Sequence, residues 1–275
     1  MNTPTPPAAI PPAVEILPPE RDDGIRINAS QRRALVAELE KLTSEQWQMP
    51  TERSHWTILE LVTHIVAAGE NQRQPWRMVG GALLGPLRRR GRADEDAMNE
   101  SGVGRHRTAE PREVLADLRE QSQRAVEPRW FRPIPLRDGK MPGYADGAYL
   151  SDAIYPRDIW LHRHDIARTV GTVPAPDPTD AEVVVQVVRD LGLAWAGPEL
   201  VLELTGHEGG AWVLSPVLGS EVAATGAGQT VPDLRVVLPA AEFMRHLAGR
   251  TTGPDLFDGI PDAARQALEA ARVVF

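Results

Sequence analysis

Asp158 and His162 lie four residues apart in the run YPRDIWLHRHDIARTVG, residues 155–171. On a helix, positions i and i+4 stack on one face. A carboxylate and an imidazole so placed can share a divalent cation, as the two histidines of an H-E-x-x-H helix do. Two ligands do not complete a site, so a third must come from another element. The segment TILELVTHIVAA, residues 57–68, offers one. Its Ile58, Leu61, Ile65 and Ala68 recur at helical spacing, and His64 sits at the edge of that apolar stripe. Two histidines and a carboxylate leave coordination positions open for water or substrate and suit Zn²⁺ or another first-row ion. The structural alternative is that Asp158 pairs with Arg157 or Arg163, while His64 and His162 are satisfied core histidines. These residues alone leave both readings open. His164 stands about 200° from His162 around a helix axis and is left out of the site. Asp165 is either an acceptor that orients a liganding imidazole or a surface charge.

The elements that must position these groups can be read in order. Residues 1–24 hold seven prolines and few large side chains, which predicts a disordered tail. A helix is expected from Asn28 or Ser30 to near Glu45, with Leu35, Leu39 and Leu42 on one face. Thr57 should cap the second helix, and Pro111 should open the third over Val114, Leu115, Leu118 and Val126. A charged loop is expected over 85–110. The fourth helix should start at Ser151 and stop at Gly171, with Pro156 kinking it or moving its start. Pro174, Pro176 and Pro178 read as a stiff linker. Beyond it come a helix over 179–196, β-like runs at 199–205, 211–214, 221–224 and 234–238, and helices opened by Pro239 and Pro261. Helices followed by strands packed with helices make an α+β protein. The expected domains are 25–173 and 174–275.

Composition removes several function classes. The formal net charge is −8 over 275 residues, and the pI near 5.4 lacks the basic footprint of a nucleic-acid partner. Cysteine is absent, which excludes disulfides, thiolate ligands and a cysteine nucleophile. Any thiol chemistry must use a thiol from outside. No apolar run approaches the ~18 residues of a membrane span, and no secretory signal is seen, so the expected location is cytoplasmic. The expected partners are small molecules, with the chain a monomer or homodimer.

The run WTILELVTHI from Trp56, followed by RDIWLHRHDIA from Arg157, resembles the DinB-like four-helix metal-binding domain of the mycothiol-dependent maleylpyruvate isomerase family. Asp96-Ala97-Met98-Asn99 resembles a segment between that domain's second and third helices. LELTGHEGGAWVL and Leu247-Ala248-Gly249-Arg250 resemble the family's smaller, sterol-carrier-like α/β domain. The resemblance implies a divalent metal, usually zinc, held by His64, Asp158 and His162, and mycothiol or another small thiol as cofactor. It further implies that an arginine of the C-terminal domain, for which Arg250 is the candidate, clamps a substrate carboxylate. The isomerase type carries Glu where this chain has Asp158, and the proline-rich N-terminus has no counterpart. Three functions remain in view: a thiol-using isomerase or transferase, a metal-dependent hydrolase of the thiol-conjugate amidase kind, and a non-catalytic small-molecule binder.

Overall fold

The helical part begins earlier than the sequence suggested. In the computed structural model, which describes residues 10–52, 56–73, 104, 108–124, 132–135, 146–216 and 231–275, helix α1 spans Arg21–Leu39. Pro18 and Pro19 precede it, and Asp22 and Asp23 in its first turn favour the positive end of the helix dipole. A cap at Asn28 or Ser30 is therefore unnecessary, and Asn28 is buried inside the helix. Gly24 is needed there, because a Cβ would stand 2.4 Å from the Cβ of Asp152.

Helix α2, Ile58–Arg73, starts as expected at Thr57. The Thr57 hydroxyl accepts from the Glu60 N–H at 3.2 Å while the Glu60 carboxylate accepts from the Thr57 N–H at 2.9 Å, a reciprocal capping box. Helix α3, Pro111–Arg124, opens on its proline, with Glu113 accepting from the Glu110 N–H at 3.0 Å.

The fourth helical stretch starts four residues before Ser151, at Gly147. Asp146 caps it by accepting from the Tyr149 N–H at 2.9 Å, whereas the buried Ser151 hydroxyl has no partner among the described residues. Gly147–Tyr149 is α-helical, Leu150–Ile154 is π-helical, and α4 follows as Tyr155–Thr169. The π turn, in which the Tyr155 N–H reaches back to the Leu150 carbonyl, lies directly before Pro156. A proline ring in a regular helix collides with the carbonyl four residues earlier, and the wider turn accommodates it without a break. At the far end Gly171 is left-handed at φ 73°. Its N–H bonds the Arg168 carbonyl and the Thr172 N–H bonds that of Ala167, a Schellman stop.

Helix α1 packs on α3 and α4, and α2 packs on the same two. Leu35, Leu61, Ile65, Val114, Leu118 and Ile159 meet in their shared core, all at most 2% exposed. Arg163 ties the following segment down. Its guanidinium, fully buried, binds Glu38 at 2.7 Å, Asp180 at 3.2 Å and the Ala175 carbonyl at 2.6 Å. The compact helical unit comprises 18–139 and 144–183 with residue 275.

The other unit comprises 1–17, 140–143 and 184–274. Helix α5, Asp180–Ala194, begins in the first unit and continues into this one. Strand β1, Leu200–Thr205, is central. It pairs antiparallel with β2, Gly210–Leu214, with Leu202 opposite Trp212, and parallel with β3, Arg235–Pro239, with Leu202 opposite Val236. Helices α6, Ala240–Leu247, and α7, Asp262–Ala270, complete the unit. The protein is thus α+β. The tail expected over 1–24 is corrected over its described part. Pro12 bridges Val213, the Pro11 carbonyl accepts from the Val213 N–H at 3.0 Å, and Ala13 is fully buried. Prolines lack only a donor, so their carbonyls can still edge a sheet. The segments 96–99 and 221–224 lie outside the described residues.

Candidate metal centre

His64 lies on α2, two turns beyond its Thr57 cap. The buried stripe of Leu61 and Ile65 fixes the helix rotation, and the Trp56 ring lies 5.4 Å from the His64 ring. Asp158 and His162 lie on α4, in the regular helix after the π turn, so their i,i+4 relation is undisturbed. The turn does shift the phase of the residues before it. Leu150, before the turn, is only partly buried.

The two helices bring one ligand atom from each of His64, Asp158 and His162 within 4.8 Å of one another. The carboxylate is the hub. One of its oxygens faces His162 Nε2 at 3.2 Å and the other faces His64 Nε2 at 3.4 Å. In a tetrahedral zinc site with bonds of about 2.0–2.1 Å, ligand atoms stand about 3.3–3.4 Å apart. Each contact is close to such an edge in length, the two running to different oxygens of the carboxylate. The donor set therefore fits a divalent first-row ion.

Asp165 resolves as the orienting acceptor. Its fully buried carboxylate lies 3.1 Å from His162 Nδ1. A hydrogen bond donated by Nδ1 leaves Nε2 as the free donor atom for a metal. The structural alternative for Asp158 through Arg163 does not occur, since Arg163 binds Glu38 and Asp180. Arg157 donates to the Tyr149 hydroxyl at 2.7 Å and to the Ala153 carbonyl. The His164 ring lies tilted by 40° against the Trp160 ring, with 4.0 Å between their centroids.

Burial alone would raise the Asp158 carboxyl. The charges and hydrogen bonds of His162 and His64 outweigh it and hold the group well below the usual carboxylate range. Burial also disfavours charge on His162, but Asp158 and Asp165 prevail and lift its pKa from 6.5 to about 9.

Arg250 lies in the other unit, just past α6. Gly249 is left-handed at φ 75°, its N–H bonds the His246 carbonyl, and the Arg250 N–H bonds that of Arg245 at 2.9 Å. The Leu-Ala-Gly-Arg run is thus a second Schellman stop. The Arg250 guanidinium donates to the Ala248 carbonyl at 3.3 Å.

Sequence reasoning missed a second buried group in the helical unit. Arg32, 1% exposed, donates through Nε to Asn28 Oδ1 at 2.7 Å and through Nη1 to Gln121 Oε1 at 2.9 Å. Gln121 in turn donates to the Val66 carbonyl at 2.9 Å. The available signal was the i,i+4 spacing of Asn28 and Arg32, one turn before Leu35 on the inner face of α1.

The family model for the mycothiol maleylpyruvate isomerase N-terminal domain matches residues 29–167, a span that holds all three members of the metal group. Two solved structures are similar to the chain: the crystal structure of the mycothiol-dependent maleylpyruvate isomerase, at 16% identity and TM-score 0.47, and that of its histidine-to-alanine mutant, at 15% and 0.46. Each comparison covers 84% of this chain and 90% of that one. A search of curated proteins finds no match. Since residues 29–167 make up just over half of the 275, the chain belongs to the mycothiol maleylpyruvate isomerase N-terminal domain family, a family named for an enzyme.

Proposed function

We propose that this chain is a metal-dependent enzyme that uses a low-molecular-weight thiol of the mycothiol type to isomerise or conjugate a small, carboxylate-bearing electrophile. The observation that carries this reading is the convergence of His64, Asp158 and His162 within the family-matched segment. Two imidazole Nε2 atoms and one carboxylate would hold Zn²⁺ and leave positions open. A cation there would lower the pKa of a thiol and stabilise its thiolate, the nucleophile for reversible addition to a carbon–carbon double bond.

The chain's own residues supply the rest. Asp165 fixes the His162 ring and tautomer. Asp158 bridges the two imidazoles, and the packed core around them limits water. The chain has no cysteine, so the thiol comes from outside. Arg250 remains our candidate clamp for a substrate carboxylate, a role that the planar guanidinium suits.

The test is metal analysis followed by turnover. Protein purified after growth with zinc should carry close to one metal per chain, and less than about 0.2 would count heavily against the reading. Product formation should require added thiol. Turnover of the electrophile with no thiol present would instead favour hydrolysis by metal-bound water.

A further inference from the structure

We infer that Arg32 and Asn28 form a binding site for a carboxylate group of the substrate, inside the helical unit beside the metal-ligand group. Arg32 is a buried cation whose hydrogen-bond partners, Asn28 and Gln121, are both neutral amides. Those bonds use Nε and Nη1, and Nη2 donates to no described residue. A buried charge held only by neutral groups is costly unless an anion completes it. Beside it, the Asn28 side chain is 2% exposed and its Nδ2 has no partner. Its Oδ1 already accepts from Arg32 Nε, which fixes the amide orientation and leaves Nδ2 as a donor. The remaining Nη2 edge of the guanidinium and the adjacent buried Asn28 Nδ2, which has no acceptor among the described residues, are complementary to one carboxylate.

Among the described residues, no carboxylate hydrogen-bonds Arg32. Asp158 lies close enough for its charge to act on Arg32, as does Tyr155. Both Asp158 oxygens, however, are taken up by His64 and His162. Burial and the neighbouring Arg73 charge pull the guanidinium down to about 10 against the influence of Tyr155 and Asp158, which fits a cation short of counter-charge. The side chains of His64 and Asp158 retain 12% and 15% exposure. The anion's identity as the substrate's carboxylate rests on the proposed function, whereas the site itself rests on Arg32 and Asn28.

The test is calorimetric titration of maleate, a small unsaturated dicarboxylate, into the full chain in zinc-loaded and chelator-stripped forms, with maleamide as the neutral control. Maleate should bind saturably and maleamide should not. Arg32→Met should weaken maleate binding at least about tenfold, the loss expected for a charge-assisted hydrogen-bonded pair. It should leave zinc content and melting temperature undiminished, because an apolar side chain of similar length replaces an uncompensated charge. Asn28→Asp builds a carboxylate into the site and should abolish maleate binding while raising the melting temperature. Maleate binding unchanged in both variants, or absent from zinc-loaded wild type, overturns the inference. Maleate binding that depends on Arg32 in a protein that takes up no zinc would overturn the metal reading and leave the anion site standing.

Discussion

Zinc uptake should become tighter with rising pH, because the metal must displace a proton from His162. The imidazole sits between Asp158 at 3.2 Å and Asp165 at 3.1 Å, and the pair lifts its pKa to about 9. At pH 7 the proton to be removed is then held about two units too tightly. At 1.36 kcal/mol per unit the penalty is about 3 kcal/mol, on the order of a hundredfold in apparent affinity. Affinity measured by competition with a chromogenic chelator should rise about tenfold per pH unit from 7 and level off near 9. Calorimetry at pH 7 in two buffers of different ionisation heat should report release of about one proton. An affinity that stays flat from pH 7 to 9 would refute the reasoning. The metal-free protein carries the same linkage. The raised pKa of His162 contributes stability that is complete below about 6.5 and is lost as pH rises through about 9. The lowered Asp158 contributes stability above its ordinary range that is lost as pH falls through its depressed value. The metal-free form should therefore soften on both flanks, and zinc should restore the alkaline one.

Three further outcomes follow from the same geometry. His162→Ala should abolish stoichiometric zinc while leaving the far-ultraviolet helical signal intact, and a variant that keeps its metal would remove His162 from the ligand set. Arg163→Ala should cost about 3–5 kcal/mol in urea unfolding, because it removes the cation that both Asp180 and Glu38 pair with and leaves a buried void. Arg250→Ala should raise KM for a carboxylate substrate and leave zinc content unchanged. An unaltered KM would reduce Arg250 to the helix-stop residue whose N–H bonds the Arg245 carbonyl.

The metal group was legible because its parts follow simple periodicities. Asp158 and His162 are a helical pair, and His64 is marked by the apolar stripe of a well-capped helix. Gly171 was readable as a helix stop because only a left-handed residue closes a Schellman turn without strain. What escaped depended on contacts distant in sequence. Arg32 and Gln121 are 89 residues apart, and nothing in either segment announces the bond between them. The proline-rich start looked like a tail because composition records missing donors, whereas the Pro11 carbonyl still pairs with Val213. Ser151 looked like a cap on residue type alone, but the chain was already helical four residues earlier. Arg163 likewise grips Asp180 on the far side of the prolines, a contact that neither segment announces.

The π turn at Leu150–Ile154 also governs how this helix tolerates changes of length. It holds one residue more than a regular turn would, and a one-residue offset in an α-helix is about a 100° rotation. Removing one residue from 150–154 would straighten the helix without rotating Asp158 and His162 away from His64. The straightened turn would then place a carbonyl against the Pro156 ring, so the deletion should be accepted only together with Pro156→Ala. Zinc content of the single and paired variants distinguishes this from ordinary loss of fold. Insertions and deletions upstream of the site are thereby coupled to one proline, and the two should be gained or lost together.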